Sequence, residues 1–128
     1  MAFKILIVDD SFVTRSVLRK TIAMTGVEVD EIFEAGDGIE ALDVLSGNQV
    51  DLVMTDINMP RMNGMEMTAA ILANKKTCDI PVVIVTTHSD DTRINELCVQ
   101  GVKKYIHKPF TPEKIRDTLQ EVREAIPQ

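Results

Sequence analysis

Five short runs of apolar residues recur along the chain, separated by longer segments with the apolar spacing of helices. The runs that predict strands are residues 3–8, 31–35, 51–55, 82–86 and 102–106. The first, third and fourth consist almost entirely of Ile, Leu, Val and Met, as expected for parallel strands that are covered on both faces. Antiparallel hairpins would show polar residues at every second position instead. The pattern therefore predicts a buried parallel sheet.

The segments between the strands carry the start and stop signals of five helices. Ser11 is a suitable N-cap for a first helix that ends near Gly26, and Thr111 followed by Pro112 suits the start of the last helix. The other predicted helices span residues 37–45, 64–74 and about 90–100. Every connection between strands is thus long enough to contain a helix.

This alternation predicts a single doubly wound α/β domain over residues 1–128, with five parallel strands and helices on both faces of the sheet. The chain contains no repeat, low-complexity tract or linker that would divide it. In such sheets, ligands bind outside the carboxyl ends of the strands. The residues that follow each strand are therefore the first candidates for function.

Composition and charge exclude several classes of function. The chain has 128 residues, 45% of them apolar, so it can bury a core without disulfides or a structural metal. Its net charge of −6 disfavours general binding to nucleic acids or anionic membranes, because both reward Lys and Arg. It shows neither an apolar run of about 18 residues nor a signal-peptide pattern. We expect a cytoplasmic protein with no nucleic-acid or membrane partner.

Charged and hydroxyl side chains stand at the ends of four predicted strands. These residues are Asp9, Asp10, Asp56, Thr86 and Lys108. Because the strands are parallel, they meet at one edge of the sheet, where three carboxylates repel one another unless a cation or a shared proton offsets their charge. The alternative is that each Asp caps the following helix, a role that explains one such residue better than the whole set.

The types of residue in this set suggest phosphoryl chemistry with a metal ion. Carboxylate oxygens in an open site without Cys or His suit Mg²⁺ better than zinc. A metal ion and Lys108 would neutralise the oxygens of a transferring phosphoryl group, to which the Thr86 hydroxyl can donate. Asp56 is the best nucleophile because it is central, whereas Asp9 and Asp10 are better placed to hold metal. No Gly-rich nucleotide loop occurs, so we expect phosphate to come from a partner rather than from ATP.

The motifs around these residues resemble the receiver domain of two-component response regulators, in particular the stand-alone chemotaxis type. The resemblance spans about residues 3–126, and its motifs are Ile7-Val8-Asp9-Asp10-Ser11, Asp56-Ile57-Asn58-Met59-Pro60-Arg61-Met62-Asn63-Gly64, Val85-Thr86-Thr87 and Lys108-Pro109-Phe110. It implies a flavodoxin-like sheet of strand order 2-1-3-4-5, which is carried over from the chemotaxis regulators themselves.

The resemblance also implies how the site is built. Asp56 would be the phosphoacceptor, and Asp9 with Asp10 the acidic pair. Mg²⁺, or Mn²⁺ in its place, would bind through Asp10, Asp56 and the backbone carbonyl of Asn58. Lys108 would contact the phosphoryl group.

The resemblance also implies which residues form the conformational switch and which set the lifetime of the aspartyl phosphate. Thr86 and Tyr105 resemble the switch pair, in which the hydroxyl moves to the phosphoryl group and the ring turns inward. Asn58 and His88 would tune the rate at which the aspartyl phosphate hydrolyses. The peptide bond before Pro109 is expected to be cis.

The function implied is that of a signalling switch that promotes its own phosphorylation and dephosphorylation, rather than an enzyme. A sensor histidine kinase would phosphorylate it, and the surface of the fourth predicted helix, fifth strand and fifth predicted helix, about residues 89–126, would change its affinity for a protein target. Chemotaxis or motility is the expected setting, with the flagellar motor switch a candidate target and a phosphatase a candidate partner. The alternatives are a phosphate sink or phosphorelay receiver in another pathway, an aspartyl-phosphate hydrolase and a flavin electron carrier.

Overall fold

The structure, a computed structural model, describes residues 3–86, 102 and 104–125. Within these residues the chain forms β1 (Lys4–Val8), α1 (Phe12–Met24), β2 (Glu31–Ala35), α2 (Gly38–Gly47), β3 (Leu52–Thr55), α3 (Gly64–Ala73), β4 (Val82–Thr86), β5 (Lys104–His107) and α4 (Pro112–Ala125). The helix predicted over about 90–100 lies outside the described residues, and α4 is the helix predicted last along the chain.

The five strands form one sheet of order β2-β1-β3-β4-β5, in which every neighbouring pair is parallel. The strand order implied by the resemblance is therefore confirmed. The chain moves from β1 outward to β2 and then crosses back to β3 on the other side of β1. At this reversal Val8 pairs with Thr55, so the residues that follow β1 and β3 emerge side by side.

Burial along the strands agrees with the prediction from hydrophobicity. The central strands β1, β3 and β4 are buried over nearly their whole length, whereas the edge strands β2 and β5 are partly exposed. A central strand is buried on both faces when helices cover both faces of the sheet, so neither face of the strand is polar.

Helices cover both faces of this sheet, as predicted. On one face, Ala41 of α2 and Ile71 of α3 pack against the strands. On the other, Leu18 of α1 and Leu119 of α4 do so. Burial of each large aliphatic side chain contributes about 1.5–3 kcal/mol, so the two layers hold the sheet as one unit. None of the helices in the described part of the chain has the length and apolar composition needed to span a membrane.

The helix starts identify the capping residues. The side chains of Ser11 and Thr111 accept N–H groups of Thr14 and Lys114, each at 3.2 Å, which confirms both predicted caps. The N-caps of the helices α2 and α3 are Asp37 and Asn63. Capping at α1, α2 and α3 is thus performed by residues other than the three acids that follow the strands.

Several predicted boundaries are wrong by one or two residues. Strand β5 spans Lys104–His107 rather than 102–106, and its register pairs His107 with Thr86, the last residue of β4. A strand extends as far as its neighbour can pair with it, whereas hydrophobicity reports only burial. Helix α2 spans Gly38–Gly47 rather than the predicted 37–45.

Candidate functional site

Three carboxylates converge at the carboxyl edge of the sheet. Asp9 and Asp10 follow β1 and Asp56 follows β3, and one oxygen of each lies within 4.8 Å of the others. Asp9 is buried, Asp56 is half-buried and Asp10 is exposed. The parallel topology therefore brings together the three acids that the sequence placed at strand ends.

Lys108 reaches the same cluster from the end of β5. Its Nζ lies 2.9 Å from Asp9 Oδ2 and 3.5 Å from Asp56 Oδ2. Its backbone N–H donates to the carbonyl of Thr86 at 2.8 Å, and its peptide bond to Pro109 is cis. Among the described residues, one ammonium thus faces three carboxylates, and the excess negative charge favours binding of a cation.

Backbone N–H groups orient two of the carboxylates. Ser11 donates to Asp9 Oδ1 at 2.9 Å, and Ile57 donates to Asp56 Oδ1 at 2.7 Å. In both residues the second oxygen, Oδ2, is the one near Lys108. These contacts aim the acidic oxygens toward a common centre.

This arrangement fits a Mg²⁺ ion. The donors are oxygens only, and the exposure of Asp10 leaves access for water, which Mg²⁺ retains when it binds to proteins. Asn58, whose carbonyl the resemblance assigns to the metal, is exposed in the segment that follows Asp56. The residues present therefore match the ligand preferences of this ion.

The predicted switch residues lie on neighbouring strands. Thr86 is buried at the end of β4, and Tyr105 is half-buried on β5. The register pairs Ile84 with Tyr105, and Thr86 is two positions from Ile84, so both side chains project to the same face of the sheet. The Tyr105 ring packs edge-on to that of His107, with centroids 6.3 Å apart. His88, predicted to tune hydrolysis, lies outside the described residues.

Gly64 is a residue that sequence reasoning missed. Its N–H donates to the carbonyl of Ile57 at 2.7 Å, and a Cβ at this position would lie 2.3 Å from the backbone oxygen of Asp56. No side chain fits so close an approach. Helix α3 therefore begins directly against the backbone of Asp56. In the sequence, Gly64 ends the motif that begins at Asp56 and lies within the Asn63-x-x-Glu66 capping box, but neither feature reveals this contact.

Arg61, also missed as a functional residue, connects the segment after Asp56 to helix α2. Its Nε lies 2.7 Å from Asp37 Oδ2, and its Nη2 lies 2.6 Å from the same oxygen. The Glu40 backbone N–H first, and the Arg61 guanidinium with it, hold the pKa of Asp37 below its ordinary value, although burial acts in the opposite direction. The two side chains are 24 positions apart, so no local motif reveals the pair.

An exposed apolar surface lies beside the acidic cluster. On α1, Phe12 and Val13 are each 69% exposed and Val17 is 48% exposed. Val13 and Val17 line a groove of 390 Å³ together with Lys108 and Phe110. Exposed apolar groups gathered next to a polar site are typical of protein contact surfaces.

Known proteins are similar to this chain in both sequence and fold. Residues 5–120 match the family model described as the response regulator receiver domain. A chemotaxis protein CheY homologue of Campylobacter jejuni is 39% identical over 120 residues, which cover 93% of this chain and 91% of that protein. Chemotaxis protein CheY1 of Helicobacter pylori is 34% identical over 93% of this chain and 95% of that protein.

The same relationship holds for solved structures. The chemotaxis response regulator CheY4 of Vibrio cholerae superposes with a TM-score of 0.83 at 32% identity, over 95% of this chain and 99% of that chain. Sheet order, acidic cluster and sequence thus agree, and this chain belongs to the response regulator receiver domain family.

Proposed function

We propose that residues 1–128 act as one receiver domain, a signalling switch in which Asp56 accepts a phosphoryl group. The observation that carries this proposal is the cluster of Asp9, Asp10 and Asp56 within 4.8 Å, with the Lys108 ammonium 2.9 Å from Asp9. Receiver domains bind Mg²⁺ through such an acidic pocket. A cation-binding pocket that also offers a carboxylate nucleophile is suited to phosphoryl transfer.

Asp56 is the acid best suited to attack phosphorus. Asp9 is buried and already engaged by Ser11 and Lys108, and Asp10 is exposed. Asp56 is half-buried, and the Ile57 N–H at 2.7 Å fixes one of its oxygens. Its orientation is therefore set while its second oxygen remains near the pocket centre.

Asp10, Asp56 and the backbone carbonyl of Asn58 would hold Mg²⁺, with Asp9 as the neighbouring acid. When bound, the ion supplies positive charge opposite the phosphoryl oxygens, and Mn²⁺ has the same ligand preferences. Lys108 would contribute a second cation at the same place, and the Thr86 hydroxyl a hydrogen bond.

The transfer step needs no other co-reactant than the phosphodonor. An oxygen of Asp56 forms a bond to phosphorus while the bond from phosphorus to a histidine nitrogen of the donor breaks. The imidazole leaves with the electron pair and takes up a proton from solvent. A sensor histidine kinase supplies such a phosphohistidine, and the exposed apolar surface around Phe12 and Val13 supports a protein as the donor.

Phosphorylation adds negative charge at the edge of the sheet, and the switch responds to it. Thr86 and Tyr105 would form the responsive pair, with Asn58 and His88 tuning hydrolysis of the aspartyl phosphate. The output surface would include β5 and α4, and its target would be a protein. The similar proteins are named as chemotaxis proteins, which supports a role in chemotaxis. In that setting the proposed role is cytoplasmic, with the flagellar motor switch as the proposed target and a phosphatase as a further proposed partner.

The direct test is chemical phosphorylation. The protein is incubated with acetyl phosphate and Mg²⁺, and the mass of the intact chain is measured before and after treatment with hydroxylamine, which cleaves acyl phosphates. We expect one phosphoryl group per chain, lost on treatment and absent from Asp56→Asn. Asp43→Asn, which removes an exposed acid of α2, should be phosphorylated like the parent protein. Equal labelling of Asp56→Asn would contradict the assignment.

A further inference from the structure

Backbone hydrogen bonds hold the segment from Asp56 to Gly64, which is called here the acceptor loop. One bond joins the two ends of the loop: the Gly64 N–H donates to the Ile57 carbonyl at 2.7 Å. Another joins the loop to helix α2: the Met62 carbonyl accepts the N–H of Gly38 at 3.0 Å. The loop includes Asn58, whose carbonyl is the backbone ligand in the proposed metal site. Any contact that holds the loop therefore bears on that ligand.

A third contact of the loop is a charge-assisted one between Arg61 and Asp37. Asp37 has a side chain only 4% exposed, and both of its oxygens are used. Oδ1 accepts the Glu40 N–H at 2.9 Å as the N-cap of α2, and Oδ2 accepts Arg61 Nε at 2.7 Å. Because the carboxylate is itself fixed by the helix start, it is a rigid anchor for the guanidinium.

The backbone of Arg61 points to the same conclusion. Its φ is +62°, in the left-handed region that glycine adopts without strain and in which a residue with a side chain is strained. The two short contacts to Asp37 offset that cost. Glu40 adds a longer one at 3.5 Å.

We propose that Arg61 is a positioning residue for the metal site: its ion pair with Asp37 holds the acceptor loop, and with it the Asn58 carbonyl that would join Asp10 and Asp56 in binding Mg²⁺. The inference rests on the proposed function, because it concerns affinity for Mg²⁺ at the same pocket. Residues that orient a ligand without touching the metal typically change metal affinity by about tenfold or more.

Electrostatics alone predicts the opposite change in Mg²⁺ affinity when Arg61 is lost. Loss of Arg61 removes a positive charge near an acidic pocket, and by simple attraction Mg²⁺ should then bind more tightly. A weaker affinity after this substitution therefore reports the position of the loop rather than the local charge.

The experiment measures the dissociation constant of Mg²⁺ by calorimetric titration with Mg²⁺ alone, and metal-free stability by urea unfolding. We expect Arg61→Gly, which suits the left-handed backbone, to bind Mg²⁺ about tenfold more weakly. Asp37→Asn, which keeps a good N-cap and the Arg61 backbone, should show the same loss. Arg61→Lys should recover part of the affinity. Arg19→Gln loses the same charge from an ion pair between α1 and β2 and should bind no more weakly than the parent.

Two outcomes would overturn the proposal. One is an affinity of Arg61→Gly and Asp37→Asn equal to or tighter than that of the parent protein. The other is a loss of metal-free stability with an unchanged dissociation constant, which makes the pair purely structural. Failure of the proposed function itself looks different, because Asp10→Asn would then leave Mg²⁺ affinity unchanged and Asp56 would not be phosphorylated by acetyl phosphate.

Discussion

Lys108 lies 2.9 Å from Asp9, although 99 positions separate the two residues in the chain. The pair joins the end of β1 to the end of β5 across two intervening strands. Both side chains are largely buried, with 14% and 7% exposed. Without metal, this ammonium offsets part of the negative charge of the acidic cluster, and it therefore carries part of the stability of the pocket.

We expect Lys108→Met to lower the free energy of unfolding by about 3 kcal/mol in metal-free buffer, because it leaves Asp9 buried without its cation. Mg²⁺ should restore more stability in this variant than in the parent protein. Urea unfolding in EDTA and in Mg²⁺ measures both effects. Lys104→Met breaks the more exposed pair with Glu121 and should cost less than about 1 kcal/mol. Equal losses in the two variants would contradict the role of Lys108.

Asp10→Asn should raise the melting temperature of the metal-free protein, since it removes one of three repelling charges. Asp10 is exposed, so the gain should be about 1 kcal/mol or less and should shrink at high salt. In Mg²⁺ the parent protein should have the higher melting temperature, because the variant has lost a proposed ligand. Differential scanning calorimetry in EDTA and in Mg²⁺ tests this crossing, and a metal-free melting temperature below that of the parent would count against charge crowding.

Gly64→Ala should destabilise the protein by about 1–3 kcal/mol and slow phosphorylation by acetyl phosphate. The added methyl group meets the Asp56 carbonyl at 2.3 Å, so the backbone that carries the phosphoacceptor must move. Gly47→Ala is the matched control, because its Cβ meets nothing within 4 Å and it should be neutral or slightly stabilising. Similar behaviour of the two variants in urea unfolding and in phosphorylation rate would show that the close approach is unimportant.

The depressed pKa of Asp37 predicts a specific dependence of stability on pH. Its charged form is favoured in the folded state, so its contribution is fully present above the ordinary pKa of 3.8 and is lost as the pH falls through the lower folded pKa. Asp37→Asn cannot titrate, so the stability difference between parent and variant should shrink below about pH 4. Urea unfolding at a series of pH values measures this, and a difference that stays constant at low pH would contradict it.

The exposed apolar surface on α1 predicts that a substitution there will slow phosphotransfer from a protein donor but not from a small-molecule donor. Phe12→Ser should slow transfer from a phosphorylated histidine kinase domain while leaving the reaction with acetyl phosphate unchanged, because a small donor needs no docking surface. Met24→Ser removes an equally exposed apolar side chain at the far end of the helix and serves as the control. Parallel changes with both donors would place the effect of Phe12 in the chemistry rather than in docking.

Much of the fold follows from features that act over short stretches of chain. The continuous apolar runs predicted the three buried strands, and the caps at Ser11 and Thr111 predicted the starts of two helices. The convergence of Asp9 and Asp56 followed from parallel topology alone, because the ends of parallel strands share one edge. Boundaries such as the start of β5 were less predictable, since pairing with β4 decides them.

The amino-acid sequence by itself determined the alternation of strands and helices, the identity of the family and the set of acids at the strand ends, because each depends on residues that are near in the chain or on a motif. The tertiary structure alone decided that Lys108 pairs with Asp9, that Arg61 is anchored on Asp37 and that Gly64 touches the Asp56 backbone. The first two contacts join residues 99 and 24 positions apart, and the third depends on how the acceptor loop folds back on its own start. Such distances of a few ångströms depend on how whole layers pack.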